Sequence, residues 1–551
     1  MRNNAESVAD VVVGQGTGHV FTLMGDGNMH LVLALAAAGV EVVEVRHESA
    51  AVAMAEGYGW SSGKVGICTV THGPGLTHTA TSLVVAARNR SPLVVLAGET
   101  PTGYQGAQAF GQRALVEACE AGYVPVTAGD DAGAVVAAAI AQARQERRPV
   151  VVAIPADLLH EQPGPNAPVA PQAPEIFIPE PAPDVVAQLV ADLSAASRPV
   201  LLAGRGVGEA GCSDLIRKLA ERFGAGLATT LPAKGLFEGH PLDLGVAGGL
   251  THPDAEPVFY NADLVVAFGS GVGGSTTRYG RLFPSARLIC NDVRARPQRQ
   301  DRTTIQADAA ALLTDLLMVL EIELGPQAPR TPWFPPVRPW PECWNDELES
   351  FSPDLEEGTL DPRRAVIALD AELPQDAIVV IANGHCSGFA SALVRTGAPR
   401  ELHLAQGFGS IGQGLTTAIG VALGAGDRPV VVFEGDAAFM MHAQELDTAV
   451  RAGARLTAIV FNDQALGTEY HRLARESAAA AMAVVPTPAV ADVAEVLGAY
   501  GVSSGDLETV AESVRSALAH RTSVVELRTS RAIESRHLRW RHLPEPEVAH
   551  V

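Results

Sequence analysis

Two acids 27 residues apart, Asp436 and Asp463, each follow an apolar run that ends in a turn. Residues 430–463 read VVVFEGDAAFMMHAQELDTAVRAGARLTAIVFND. The β-branched run at 430–433 predicts a strand ending at Glu434-Gly435-Asp436, and a helix-like stretch leads to a second strand ending at Asn462-Asp463. One strand–helix–strand crossover fits this spacing, which puts both carboxylates just past the C-terminal ends of two parallel strands. Such a pair suits a hard cation: Mg²⁺ takes about six oxygens, including one or two carboxylates and phosphate oxygens. Backbone amides at the helix start after Gly435 can face the same phosphates. The plainer alternative is a strand–turn–helix in which Asp436 acts only as a cap.

A third acid, Glu48, stands in EVVEVRHESAAVAMAEGYGW, residues 41–60. Val42, Val43 and Val45 read as a buried strand, Arg46-His47-Glu48 as its exit, and Ser49 as the start of a small-residue helix. Glu48 alone is equally a first-turn acid favoured by the helix dipole. Further along lie Thr71-His72-Gly73-Pro74-Gly75, then His78, and in the last third Gly407-Phe408-Gly409-Ser410-Ile411-Gly412 ahead of the small-residue stretch 416–422. Asn383-Gly384-His385-Cys386-Ser387 follows another apolar run.

Taken in order, these segments resemble the thiamine-diphosphate enzymes of the acetolactate synthase and 2-oxo acid decarboxylase superfamily. A single turn motif is weak, whereas several in the right order on strand ends are specific. The resemblance implies an α/β chain of three doubly wound parallel-sheet domains, with thiamine diphosphate and Mg²⁺ as cofactors. It implies Asp436, Asp463 and the Ala465 carbonyl as metal ligands. The cofactor would also meet Gly73, Pro74, Gly75, Gly384, His385, Gly409, Ser410, Gly435, Ala437, Ala438, Leu466 and Gly467. Glu48 would hydrogen-bond N1′ of the aminopyrimidine and drive its amino–imino exchange. Ile411 would be the apolar wedge that holds the cofactor bent; ordinary core is its alternative.

The chain also departs from the family pattern. Ala437 replaces a glycine, Asp463 an amide, and His78 the usual Asn. The lysine of true acetolactate synthases is Ala128 here, and the paired histidines of simple decarboxylases are missing around Phe110–Arg113. Candidate catalytic groups in the substrate pocket are His72, Gln112 and Glu469; the first is also readable as a turn histidine and the last as a solvated helix acid. Asp26, Gly27, Asn28 and Gln464 are weaker substrate contacts. The implied reaction cleaves or forms a bond next to a carbonyl. A 2-oxo acid loses CO₂, and the remaining carbon unit is protonated or joined to a second carbonyl. An acetolactate synthase-like carboligase is the leading reading. A decarboxylase or 2-hydroxyacyl lyase without ligation is the alternative, and a non-catalytic subunit of the same fold the third.

The elements that must position these groups fall into three blocks of alternating β-rich and Ala-rich segments, which predicts α/β layers. Two proline-rich stretches, 162–183 and 325–341, read as extended linkers. The blocks are 1–161, implied to bind the pyrimidine, 184–324, a central α/β unit, and 342–551, implied to bind the diphosphate. In the central block a strand runs into Gly204-Arg205-Gly206-Val207-Gly208. No acid follows at the offset a dinucleotide needs, so a structural domain is favoured over FAD or a nucleotide.

With 551 residues and a net charge of −22, nucleic acid and anionic membranes are poor partners. The six scattered cysteines have no metal spacing. No long apolar span or signal core appears, so a cytoplasmic protein is expected. The family implies a homodimer or homotetramer with its site between subunits, the first block of one chain facing the third block of another. The basic segment 531–542 reads as a solvated tail or subunit contact rather than a lid.

Overall fold

The computed structural model describes residues 2–104, 106–165, 180–294, 302–325, 328–476 and 478–540. Most of the first proline-rich stretch, 166–179, lies outside them, as do residues 541–551 at the end of the basic segment.

Three six-stranded sheets carry the chain, and every strand pair in them is parallel. The first holds β1 (His19–Leu23), β2 (Glu41–Glu44), β3 (Gly66–Val70), β4 (Leu93–Glu99), β5 (Gly122–Pro125) and β6 (Pro149–Pro155) in the order 2-1-3-4-6-5. The second holds β7 (Pro199–Ala203), β8 (Gly226–Thr229), β9 (Asp243–Val246), β10 (Leu264–Phe268), β11 (Arg287–Asp292) and β12 (Thr303–Gln306) in the order 12-11-10-7-8-9. The third holds β13 (Ile378–Ala382), β14 (Glu401–Ala405), β15 (Val430–Gly435), β16 (Leu456–Asn462), β17 (Tyr500–Ser504) and β18 (Thr522–Arg528) in the order 14-13-15-16-18-17. The α/β expectation of three parallel sheets is met.

The first and third sheets share one strand order, although their sequences show no repeat. Strands covered by helices on both faces read as continuous apolar runs, and Val430–Phe433 and Leu456–Phe461 are buried throughout. A single apolar cluster runs from the first block into the third, while the central block has its own.

The join between the first and third blocks is a helix crossing. The helix Glu48–Ser62 lies on the helix Gly414–Gly424 at bare backbone. A Cβ at Gly57 would stand 2.1 Å from the Thr417 carbonyl oxygen, and one at Gly420 would stand 1.9 Å from that of Met54. Only glycine permits this approach.

The central sheet has the doubly wound order in which dinucleotides bind at the strand switch. Its Gly204 and Gly206 pack against the backbone of Gly269, with Gly206 N donating to the Gly269 carbonyl. Chain packing therefore accounts for these glycines.

The basic segment corrects the expectation of a solvated tail. Arg536 is only 9% exposed at its side chain and bonds Glu347 at 2.6 Å; Arg539 pairs with the same carboxylate, and Arg536 also reaches Glu256 of the central block. Arg363, buried beneath them, lies 3.8 Å from Glu347. One buried carboxylate thus serves three guanidinium groups. Arg363 keeps Asp361 and Arg536 keeps Glu256, but Arg539 loses this partner, and breaking a buried ion pair costs about 3 kcal/mol. Glu347→Gln is expected to lower the free energy of unfolding by about 3 kcal/mol, read as an earlier midpoint in urea with unchanged slope. The second proline-rich stretch is irregular yet packed: Phe334 joins the central core, and Trp340 Nε1 donates to the Leu393 carbonyl at 3.1 Å.

Candidate active site

Because β13, β15 and β16 are parallel and in register, their C-terminal ends open on one edge. The chain leaves β13 toward β14 on one side, while β15 and β16 lie on the other. This is a strand-order switch, where open α/β sheets bind ligands. A cavity of about 1030 Å³ lies there.

Asp436 and Asp463 line the cavity at the ends of β15 and β16. Burial first, and then the Asp463 carboxylate, pushes the Asp436 carboxyl up to about 7, against the pull of donors from Thr487, Ala437 and Gln464. Thr487 Oγ1 gives its proton to Asp436 Oδ2 at 2.7 Å. Asp463 Oδ1 accepts from the Ala465 amide at 3.0 Å, which turns the chain sharply at Gln464, φ +54°. Across the cavity, His385 Nδ1 lies 3.8 Å from Asp463 Oδ2. His385 Nε2 accepts from the Ser535 amide at 3.0 Å, so a neutral ring carries its proton on Nδ1 and aims it at Asp463. Cys386 also lines the cavity, but burial and then Glu434, Asp463 and Asp436 raise its thiol well above its ordinary range. It stays protonated and is a poor cation ligand.

A buried carboxylate, Asp436, repelled by a half-buried one, Asp463, fits a divalent cation, which relieves both desolvation and repulsion. Ser410 Oγ, on the same lining, is buried without a partner among the described residues. The residues present therefore suit a Mg²⁺–diphosphate group.

The neighbouring wall comes from the loop 406–413. Its base is fixed by Glu434, which is 1% exposed and accepts from the amides of Gly414 at 3.2 Å and Leu415 at 3.0 Å. Burial pushes Glu434 up to about 7, and those amides oppose the rise. Ile411 is half-buried on the cavity wall, near Gly384, rather than in the core. Gly384, His385, Gly409, Ser410, Gly435, Ala437, Ala438, Ala465, Leu466, Gly467 and Glu469 line the same cavity. Gln464 is exposed and outside the lining.

The first block supplies the facing wall. His47, Ser49, His78 and Thr81 line the cavity. Glu48, 7% exposed, opens its helix between His47 and Ser49, and its Oε2 lies 2.9 Å from His78 Nδ1. The Gly73-Pro74-Gly75 turn begins the short helix Pro74–Thr77 that delivers His78, and Gly75 lies beside Glu48 Oε1. The imidazoles of His47 and His78 stack at 4.9 Å. His442 Nε2 meets Ser49 Oγ at 2.9 Å, and Arg46 N donates to Glu445 Oε1 at 3.0 Å, tying this wall to the third block. Residues of the first and third blocks of this chain both line the cavity. The glycine crossing described above sets that arrangement.

The remaining substrate candidates gather elsewhere, at the C-terminal edge of the first sheet. His72 Nε2 meets Gln108 Oε1 at 2.8 Å, with Gly27 packed against its ring. Gln112 is buried and donates to the Gly98 carbonyl at 2.9 Å, leaving Oε1 without a partner among the described residues. Asn28 is 1% exposed; it accepts from Gly25 N at 2.8 Å and donates to Thr22, so its side chain organises its own turn. Asp26, Gly27, Asn28, His72, Gly73, Pro74, Gly75 and Gln112 are all absent from the lining, and so is Glu48, although its neighbours His47 and Ser49 and its partner His78 belong to it. Sequence reasoning missed Thr487, Glu434, His442 and Arg472. Arg472 is the sole lysine or arginine among the described residues of the lining.

Residues 2–120 match the model of the thiamine pyrophosphate enzyme N-terminal TPP binding domain, 186–316 its central domain, and 382–527 its C-terminal TPP binding domain. The chain belongs to the thiamine pyrophosphate enzyme family. Its relatives within that family carry several activities. It is 31% identical to an acetolactate synthase large subunit of Parasynechococcus marenigrum, over 77% of this chain and 69% of the relative. It is 30% identical to a probable 2-ketoarginine decarboxylase of Pseudomonas aeruginosa, over 84% and 82%. It is 26% identical to a sulfoacetaldehyde acetyltransferase of Alcaligenes xylosoxydans, over 96% and 93%. No helix among the described residues of this thiamine pyrophosphate enzyme is long and apolar enough to cross a membrane.

Proposed function

We propose that this chain is a thiamine-diphosphate- and Mg²⁺-dependent enzyme that forms or cleaves a carbon–carbon bond of a 2-oxo acid, in the manner of an acetolactate synthase-like carboligase. The observation that carries the reading is the pair Asp436 and Asp463 at a strand switch, facing a wall that bears Glu48. When bound, the cofactor supplies the electron sink for the carbon left by decarboxylation. The chain's own residues do the rest. Asp436, Asp463 and the Ala465 carbonyl hold the cation. Gly384, Ser410, Gly435 and Ala437 would border the diphosphate, and Ile411 would pack against the rings. Glu48 would exchange a proton with the pyrimidine ring, and His385 Nδ1 faces Asp463 Oδ2 from 3.8 Å. The apolar side chains Phe408, Met441 and Leu466 at the cavity rim limit water. Glu469, at the start of the helix Gly467–Glu476, stands where it can deliver a proton to product.

A non-catalytic subunit is disfavoured, because a retired site has no reason to keep two acids that repel each other. Decarboxylation without ligation is the second reading, supported by the likeness to the probable 2-ketoarginine decarboxylase. We assign the first and third blocks to pyrimidine and diphosphate binding, and the assembly to a homodimer or homotetramer whose second chain covers exposed Phe408 and Met441.

Incubating the protein with ¹³C-labelled pyruvate and other 2-oxo acids, thiamine diphosphate and Mg²⁺ tests the reading. A labelled ketol supports ligation, aldehyde with CO₂ alone supports the second reading, and no turnover of any 2-oxo acid overturns both. Arg472 is positioned to meet a substrate carboxylate, and hydrogen bonds to charged groups contribute about 1.5–3 kcal/mol. Arg472→Ala is expected to raise KM for a 2-oxo acid by roughly 10- to 100-fold with a smaller change in kcat, measured by steady-state kinetics.

A further inference from the structure

His47, Glu48 and His78 form the one group of metal-spaced histidine, cysteine and acidic side chains found among the described residues, with ligand atoms all within 4.8 Å of one another. We propose that these three side chains bind a transition-metal ion of the Zn²⁺ class, and that its binding withdraws Glu48 from the cofactor. The second half rests on the role proposed for Glu48; the first does not.

Two imidazoles and one carboxylate make a donor set for Zn²⁺, Co²⁺ or Ni²⁺ rather than for Mg²⁺, which takes oxygen. An ion with bonds of about 2.1 Å sets tetrahedral ligands roughly 3.4 Å apart. Closing the observed spacing to that value requires the His47 and His78 rings to rotate out of their stacked contact so that both lone pairs meet the ion. The supports are already built. His47 caps the helix, with Nδ1 accepting from the Ser49 amide at 3.2 Å, so its Nε2 is the nitrogen left to coordinate. Ser49 Oγ is itself held by His442. His78 is fixed by the turn before it and already touches Glu48 through Nδ1. Its side chain is 52% exposed on the cavity, which gives an ion a way in and leaves a coordination position for water. Zinc with His₂Glu and a water is an established arrangement. This site is separate from Asp436 and Asp463 in both residues and ligand chemistry.

The test titrates cofactor-free protein with Co²⁺ in excess Mg²⁺, following the visible absorption that separates imidazole-ligated four- or five-coordinate Co²⁺ from the weak bands of an all-oxygen octahedron. One equivalent of the imidazole type is expected. His78→Asn is expected to weaken it at least about 100-fold at unchanged thermal midpoint, and His47→Gln serves if that variant does not fold. The same spectrum and affinity in both variants would overturn the site. Zn²⁺ is also expected to inhibit turnover of the holoenzyme, with His78→Asn at least about tenfold less sensitive; equal sensitivity overturns the withdrawal of Glu48. Thiamine diphosphate binding is measured separately by calorimetry with Mg²⁺. Absent cofactor uptake alongside intact Co²⁺ binding would reject the proposed function while leaving the metal site standing.

Discussion

Asp436→Ala is expected to lose thiamine diphosphate by about 10³-fold in affinity, with the folded protein retained. Two carboxylates on one hard cation share its charge, and removing one takes away several kcal/mol of cation and diphosphate binding. The variant should fold, because the native side chain is a liability without the ion: burial and Asp463 push Asp436 up to about 7. Calorimetry with Mg²⁺ should show native uptake and almost none in the variant, while the thermal midpoint of cofactor-free protein holds or rises. Chelation should reproduce the loss in the native protein. Cofactor affinity unchanged by both the substitution and chelation would remove the metal from the site.

Glu48→Gln should cut turnover by about 10²- to 10⁴-fold, the range for a lost proton-transfer group. Gln keeps the shape and can still bond His78, so cofactor affinity should change far less than kcat. That split distinguishes proton exchange from packing. A near-native kcat would take Glu48 out of the chemistry even though it opens the helix whose first residues border the cavity.

The parts legible in sequence were those in which a strand end and a functional side chain are neighbours in the chain. Asp436 and Asp463 follow apolar runs directly, and both stand at parallel strand ends. Ile411 and His385 were reachable through local glycine turns. Distant partners left no comparable signal. Thr487 bonds Asp436 from 51 residues away, and His442 meets Ser49 across 393. Glu434 reads as one more strand residue, yet its carboxylate anchors the helix Gly414–Gly424 that carries the wall loop. The basic segment misled because charge in a terminal stretch ordinarily means solvent; its partners, Glu347 and Glu256, lie 189 and 280 residues back. Asn28 spends its hydrogen bonds on its own turn, whereas His72 Nδ1 and Gln112 Oε1 have no partner among the described residues.

The crossing of the helices Glu48–Ser62 and Gly414–Gly424 repeats one contact twice, as a near two-fold. Gly57 meets the carbonyl three residues before Gly420, and Gly420 meets the carbonyl three residues before Gly57. At these two glycines the helices meet peptide to peptide, with no side chain between them, while the apolar cluster common to both blocks packs around that contact. The spacing between Glu48 and the pair Asp436 and Asp463 is then a property of main-chain thickness. Evolution can retune the chemistry on either wall by substitution, but a methyl group at either glycine would act as a shim that changes the gap itself.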